Sequence, residues 1–148
     1  MATTAAIGMK QADGSVMAVY LHWDGYPGYA GAILGGWYKT PEQVAALIKL
    51  GNLSQIGAKL APAPGSPHNM AKPQDDVVLA YHRDCGERLQ RPTRFASVED
   101  YRLNGKARLS ADYIYLFEDG KWSVYGLYEI SEWVELNVVL GTIGKEIE

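Results

Sequence analysis

Short apolar runs at 7–11 and 16–20 are separated by Ala12-Asp13-Gly14-Ser15. Asp-Gly tolerates positive φ at both positions, so the chain is predicted to open with a tight β-hairpin. A second such unit is predicted further on. Residues 112–117 and 122–128 flank Glu118-Asp119-Gly120-Lys121, and strand alternation puts Tyr113, Tyr115 and Phe117 on one face and Ile114 and Leu116 on the other. Residues 77–81, Val-Val-Leu-Ala-Tyr, read as a further buried strand.

Helical signals are fewer. Thr40-Pro41-Glu42-Gln43 is a helix start: Thr40 is the N-cap, Pro41 takes the first turn and Gln43 can close a capping box. Val44, Leu47 and Ile48 give its apolar stripe and Gly51 its stop. Tyr29, Ala30, Ile33, Leu34 and Trp37 also recur at helical spacing, but Gly31, Gly35 and Gly36 weaken a helix there unless it is closely packed. Ser97 to Tyr101 reads as a capped turn. The tail at 131–141 fits a short helix with Trp133, Leu136 and Leu140 inward, while Val134, Val138 and Val139 equally permit a strand. Residues 61–76 hold four prolines and no periodic pattern, which predicts an exposed, mobile loop. The sum is one α+β domain over 1–148, with an antiparallel sheet of two hairpins plus a further strand, and one or two helices packed on one face.

Length and composition agree: 148 residues, 47% hydrophobic and 21% charged, lie in the range of a single globular domain. A formal charge of -3 lacks the positive field that duplex nucleic acid requires, so that partner class is set aside. A lone cysteine, Cys85, provides no internal disulfide and fits a reducing compartment. The first residues show no basic segment followed by an apolar run, and no stretch reaches the ~20 apolar residues of a membrane span. The expected location is the cytoplasm of a host cell, with no membrane contact and no cofactor.

Candidate chemistry gathers in two places. Residues 22–29, His-Trp-Asp-Gly-Tyr-Pro-Gly-Tyr, form a loop rich in rings, and 83–94 carries four arginines within twelve residues. His22, Trp23, Asp24, Tyr26, Tyr29 and Trp37 would stack and bind a base, while His82 with Arg83, Arg88, Arg91 and Arg94 would hold phosphate through forked donors. No phosphate-cradling glycine motif accompanies them. A competing assignment pairs the arginines with Asp84, Glu87, Glu99 and Asp100 on a solvated face. Tyr20-Leu-His22-Trp-Asp24 and Tyr81-His82-Arg-Asp84 each put His and Asp two apart at a predicted strand end, a spacing suited to a metal site or an oriented base. Cys85 three residues after His82 offers a thiol with a neighbouring imidazole.

The stretch His22-Trp23-Asp24-Gly25-Tyr26-Pro27, preceded by Asp13-Gly14-Ser15-Val16 and Tyr20 and followed by Thr40-Pro41-Glu42 and Leu50-Gly51, resembles a group of small proteins encoded by phages and mobile elements. The resemblance covers about the first third of the chain, with an echo at Gly120-Lys121-Trp122. It implies an accessory protein acting on a host, by inhibiting a defence protein or sequestering a nucleotide signal. Three readings follow. The leading one is a non-enzymatic binder of a small phosphate-bearing ligand such as a signalling nucleotide. A second is an inhibitor docking on a host defence protein through its Tyr and Trp residues. The third is a metal-dependent phosphodiester hydrolase using His22, Asp24, His82 and Asp84. The aromatic loop and a free sheet edge also leave room for a homo-oligomer.

Overall fold

A computed structural model describes residues 2–127 and 132–147, with side chains placed up to residue 141. The architecture is mixed α+β, built on a mostly antiparallel, open sheet of eight strands. Strands β1 (Ala5–Lys10) and β2 (Val16–Leu21) pair antiparallel about the Asp13-Gly14 turn. Asp13 holds that turn by accepting from the Ser15 N–H at 3.0 Å. Strands β6 (Tyr113–Glu118) and β7 (Lys121–Tyr125) pair likewise about Asp119-Gly120. The predicted second strand reached Tyr128, which lies outside the described residues, as does Ser131 at the start of the predicted tail element.

Two pairings depart from the antiparallel expectation: β6 lies parallel to β1, and β3 (Leu53–Gln55) parallel to β2. Each follows from a helix in the connection, which lets the chain re-enter the sheet in the same direction. Helix α2 (Pro41–Lys49) precedes β3, and helix α4 (Val98–Leu109) links β5 (Thr93–Phe95) to β6. Strand β4 (Leu79–Ala80) is shorter than predicted, because Tyr81 already begins the one-turn helix α3 (Tyr81–Cys85). The sheet order is β4-β3-β2-β1-β6-β7-β8, with β8 at Val134–Glu135 and β5 beside the first half of β2.

Helices cover both faces of the sheet, not one. Ile7, Val19, Leu21, Tyr115 and Phe117 face a core filled by Leu34 of α1 (Ala32–Trp37), Val44 and Leu47 of α2, and Leu136 of α5 (Leu136–Ile147). Ala6, Ala18, Ile114 and Leu116 face the opposite way onto Tyr101 of α4. Small residues on that side admit the Tyr101 ring so closely that a Cβ on Gly8 would lie 2.8 Å from it. The Tyr101 hydroxyl donates to the Tyr115 carbonyl at 2.9 Å.

The Pro-rich loop is tied down. Gln74 accepts from the Ala63 N–H at 2.8 Å and donates to the carbonyls of Ala63, Ser66 and Pro67. His68 accepts from the Gln74 N–H at Nδ1 (2.9 Å), so Nε2 carries the proton and donates to the Val78 carbonyl at 2.9 Å. These contacts anchor an exposed segment for which composition gave no internal structure. No helix among the described residues is long and apolar enough to cross a membrane.

Candidate functional site

The loop after β2 owes its shape to buried pins. The Tyr115 hydroxyl donates to the Gly25 carbonyl at 2.6 Å, and Gly25 lies so close to the first strand that a Cβ there would sit 2.7 Å from the Ala5 side chain. Pro27 is buried and starts a wide π turn (Pro27–Gly31) that runs straight into α1. The glycines that weaken this helix let α5 approach it. A Cβ on Gly31 would meet Leu136 at 2.9 Å, and one on Gly35 would touch Leu136 and Leu140 at 3.6 Å.

The helical segment has two unlike faces. Pro27, Ala30, Gly31 and Leu34 point inward, and Tyr38 after them donates its hydroxyl to the Gly57 carbonyl at 2.7 Å. Tyr26, Tyr29, Ile33 and Trp37 recur on the outer side, with Tyr26 43%, Tyr29 41% and Trp37 61% exposed and Ile33 half-buried. No charged residue occurs between Asp24 and Lys39. The rings of Tyr26 and Tyr29 lie 6.3 Å apart, within the range of an aromatic pair. Trp23, 43% exposed, stands beside His22 with ring centroids 4.7 Å apart.

Charges sit at the ends of this face. Tyr29 lines a cleft of about 380 Å³ with Gln55, Ile56, Pro73, Gln74, Asp75, Asp76 and Val77. Partial burial raises the Tyr29 phenol above its ordinary pKa, and the carboxylates of Asp24 and Asp76 push it the same way. The Tyr29 end of the face therefore lies in a negative field, which favours a cation there and opposes phosphate.

The arginines do not complete this site. Arg83 is spent internally: Nε donates to Asp84 Oδ1 (2.8 Å), Nη2 to Asp84 Oδ2 (3.0 Å) and to the Val78 carbonyl (2.8 Å), and Nη1 to the Leu60 carbonyl (2.8 Å). It clamps the Pro-rich loop to the sheet, which corrects its assignment as a phosphate donor. Arg94 lies opposite Met17 in the β5–β2 pairing and 3.6 Å from Asp13, beside the hairpin turn, whereas His22 follows Leu21 at the other end of β2. That separates them by about 16 Å of strand. Arg88 and Arg91 lie in the exposed segment between α3 and β5. Pro92, next to Arg91, lines a groove at the hairpin end with Met9, Met17 and Ile48.

The repeated His-x-Asp pattern also dissolves. His22 Nδ1 shares a 2.7 Å hydrogen bond with the Tyr20 hydroxyl, and the positive φ of Asp24 (56°) breaks strand alternation. His82 and Asp84 lie in a helical turn, where residues two apart point to different sides. His82 Nδ1 instead lies 2.8 Å from the Glu87 carbonyl oxygen. Asp84 accepts from the Ala80 N–H (2.8 Å), and its carboxylate lies 3.5 Å from His68 Nε2, a neighbour that sequence spacing did not suggest. No group of three or more His, Cys, Asp and Glu among the described residues is arranged to hold a metal. Burial, with the Asp84 and Glu87 carboxylates, raises the Cys85 thiol's pKa, the opposite of an activated nucleophile.

Sequence reading missed the acidic flank. The Asp75-Asp76 doublet was visible as a charge pair at the end of the Pro-rich segment, but only the fold brings it to Tyr29. Comparison with protein families, with curated proteins and with solved structures finds no match for this chain.

Proposed function

We propose that the chain is a non-enzymatic protein-binding module that docks through the outer face of the 26–37 helical segment. The observation that carries this reading is the exposure of Tyr26, Tyr29 and Trp37 on a segment devoid of charge. Tyr and Trp are the side chains over-represented among the few contacts that dominate protein interfaces. Asp24, Asp75 and Asp76 at the Tyr29 end select a partner that presents lysine or arginine there, where the tyrosine faces add cation–π attraction. The resemblance to phage and mobile-element accessory proteins supplies the setting, a host protein as target. The phosphate reading as first framed loses its support, because Arg94 pairs with the far end of β2 from the rings and Arg83 is bonded to Asp84 and to the Leu60 and Val78 carbonyls.

The test is affinity capture from host lysate by wild type, Tyr29→Ser/Trp37→Ser and Asp24→Asn/Asp76→Asn variants, with Leu103→Ser of α4 as an exposed control. A partner retained by wild type and the control, lost with the ring variant and weakened by both the Asn variant and added salt is the expected result. Identical capture profiles for all four chains, or no partner on any, overturn the proposal. Loss of each ring should cost at least about 2 kcal/mol of binding, roughly thirtyfold in affinity.

A further inference from the structure

We propose that a second cleft, between the end of α1, the β6–β7 turn and the start of α5, is a site for a small phosphate-bearing ligand. This cleft of about 280 Å³ is lined by Gly35, Lys39, Gly120, Lys121, Trp122 and Asn137. Its volume is at the small end of ligand clefts, so the occupant is no larger than a phosphate with one attached ring system.

The polar lining comes from three separate elements. Lys39 follows α1, Lys121 opens β7 and Asn137 lies in the first turn of α5. Neither lysine has a carboxylate within 4 Å among the described residues, and Glu118 of the neighbouring turn pairs with Lys10 at 2.9 Å. The first turn of α5 carries no acidic side chain, and the carboxylate just before it, Glu135, is exposed. The wall is rigid and partly apolar. Trp122 is buried, and its indole N–H donates to the Tyr38 carbonyl at 2.8 Å, which fixes the ring. Gly35 and Gly120 leave the walls without side chains.

Two ammonium groups and an amide around one small cleft suit an ion of charge near -2 with several acceptor oxygens, which is phosphate more than a single carboxylate. The phosphate chemistry that the sequence placed on arginines is thus offered by lysines that no motif marks.

The experiment is an amide NMR titration of the full chain with inorganic pyrophosphate, adenosine monophosphate and succinate. Saturable shifts confined to Gly35, Lys39, Gly120 and Lys121 with the two phosphates are expected, with affinity reduced at least about tenfold in Lys39→Gln/Lys121→Gln and largely kept in Lys121→Arg. Both positions are exposed, so the variants should fold as wild type, which their spectra report directly. Three results would each overturn the site: no saturable shift up to about 10 mM phosphate ligand, unchanged affinity in the double variant, or succinate binding as tightly as pyrophosphate. The outcome does not depend on a protein partner, so it is separable from the docking proposal.

Discussion

Replacing Arg83 by alanine separates a ligand-binding role from a structural one. In the structure its guanidinium makes a forked pair with Asp84, whose side chain is only 4% exposed, and two further bonds to the Leu60 and Val78 carbonyls. Removing one partner of a buried pair costs about 3–5 kcal/mol, chiefly because the remaining charge is left uncompensated. Two features reduce that figure: the Arg83 side chain is 27% exposed, and Asp84 keeps the Ala80 N–H. The expected loss is about 2–4 kcal/mol, and with about 2–4 °C per kcal/mol for a domain of this size, 3 kcal/mol lowers Tm by roughly 6–12 °C. Calorimetry measures this, and hydrogen exchange should show faster opening at 59–78, the segment that Arg83 clamps. Arg88→Ala, in the exposed segment, serves as the control and should change stability by no more than about 0.5 kcal/mol. An Arg83→Ala protein melting within about 1 °C of wild type would refute the clamp and return Arg83 to the pool of ligand donors.

Other expectations follow from single contacts. A Cβ at Gly57 would lie 2.6 Å from the Asp76 backbone, which cannot yield as a flexible side chain would, so Gly57→Ala should destabilise by about 1–3 kcal/mol or more in urea unfolding. Asp100 accepts from the Ala96 N–H at 2.9 Å and from Asn104 at 2.7 Å, which holds its carboxyl below the ordinary value of 3.8. A lowered folded pKa means stability that is full above the unfolded value and lost as pH falls through the folded one. The Tm gap between wild type and Asp100→Asn should therefore be widest near neutral pH and close as the pH drops below 3.8; a gap that widens in acid would contradict the assignment.

Local chemistry made much of this fold legible. The Thr40–Gln43 capping box is present as read, with Gln43 N–H to Thr40 Oγ1 at 3.2 Å, and the two faces of β6 are those that alternation assigned. Helix α4 was visible only at its first turn, where Ser97 caps Asp100 N–H at 3.0 Å, because Tyr101 and Gly105 are its only buried residues and leave no apolar stripe to detect. Without that helix the parallel entry of β6 beside β1 could not be foreseen. The site was half legible. The rings of 23–37 are exposed, but their separation from Arg94 follows from strand order, and the spending of Arg83 on Asp84, Leu60 and Val78 from packing, neither of which spacing along the chain encodes.

The central claim is that recognition resides in the ring face of 26–37 and not in the exposed arginine segment of 88–94. Its most direct test compares Tyr26→Ser/Tyr29→Ser/Trp37→Ser with Arg88→Ala/Arg91→Ala in one quantitative co-purification experiment, each chain first shown to melt like wild type. The account predicts that the triple variant loses the bound partner while the arginine variant retains it. Retention by the triple variant with loss from the arginine variant would contradict it.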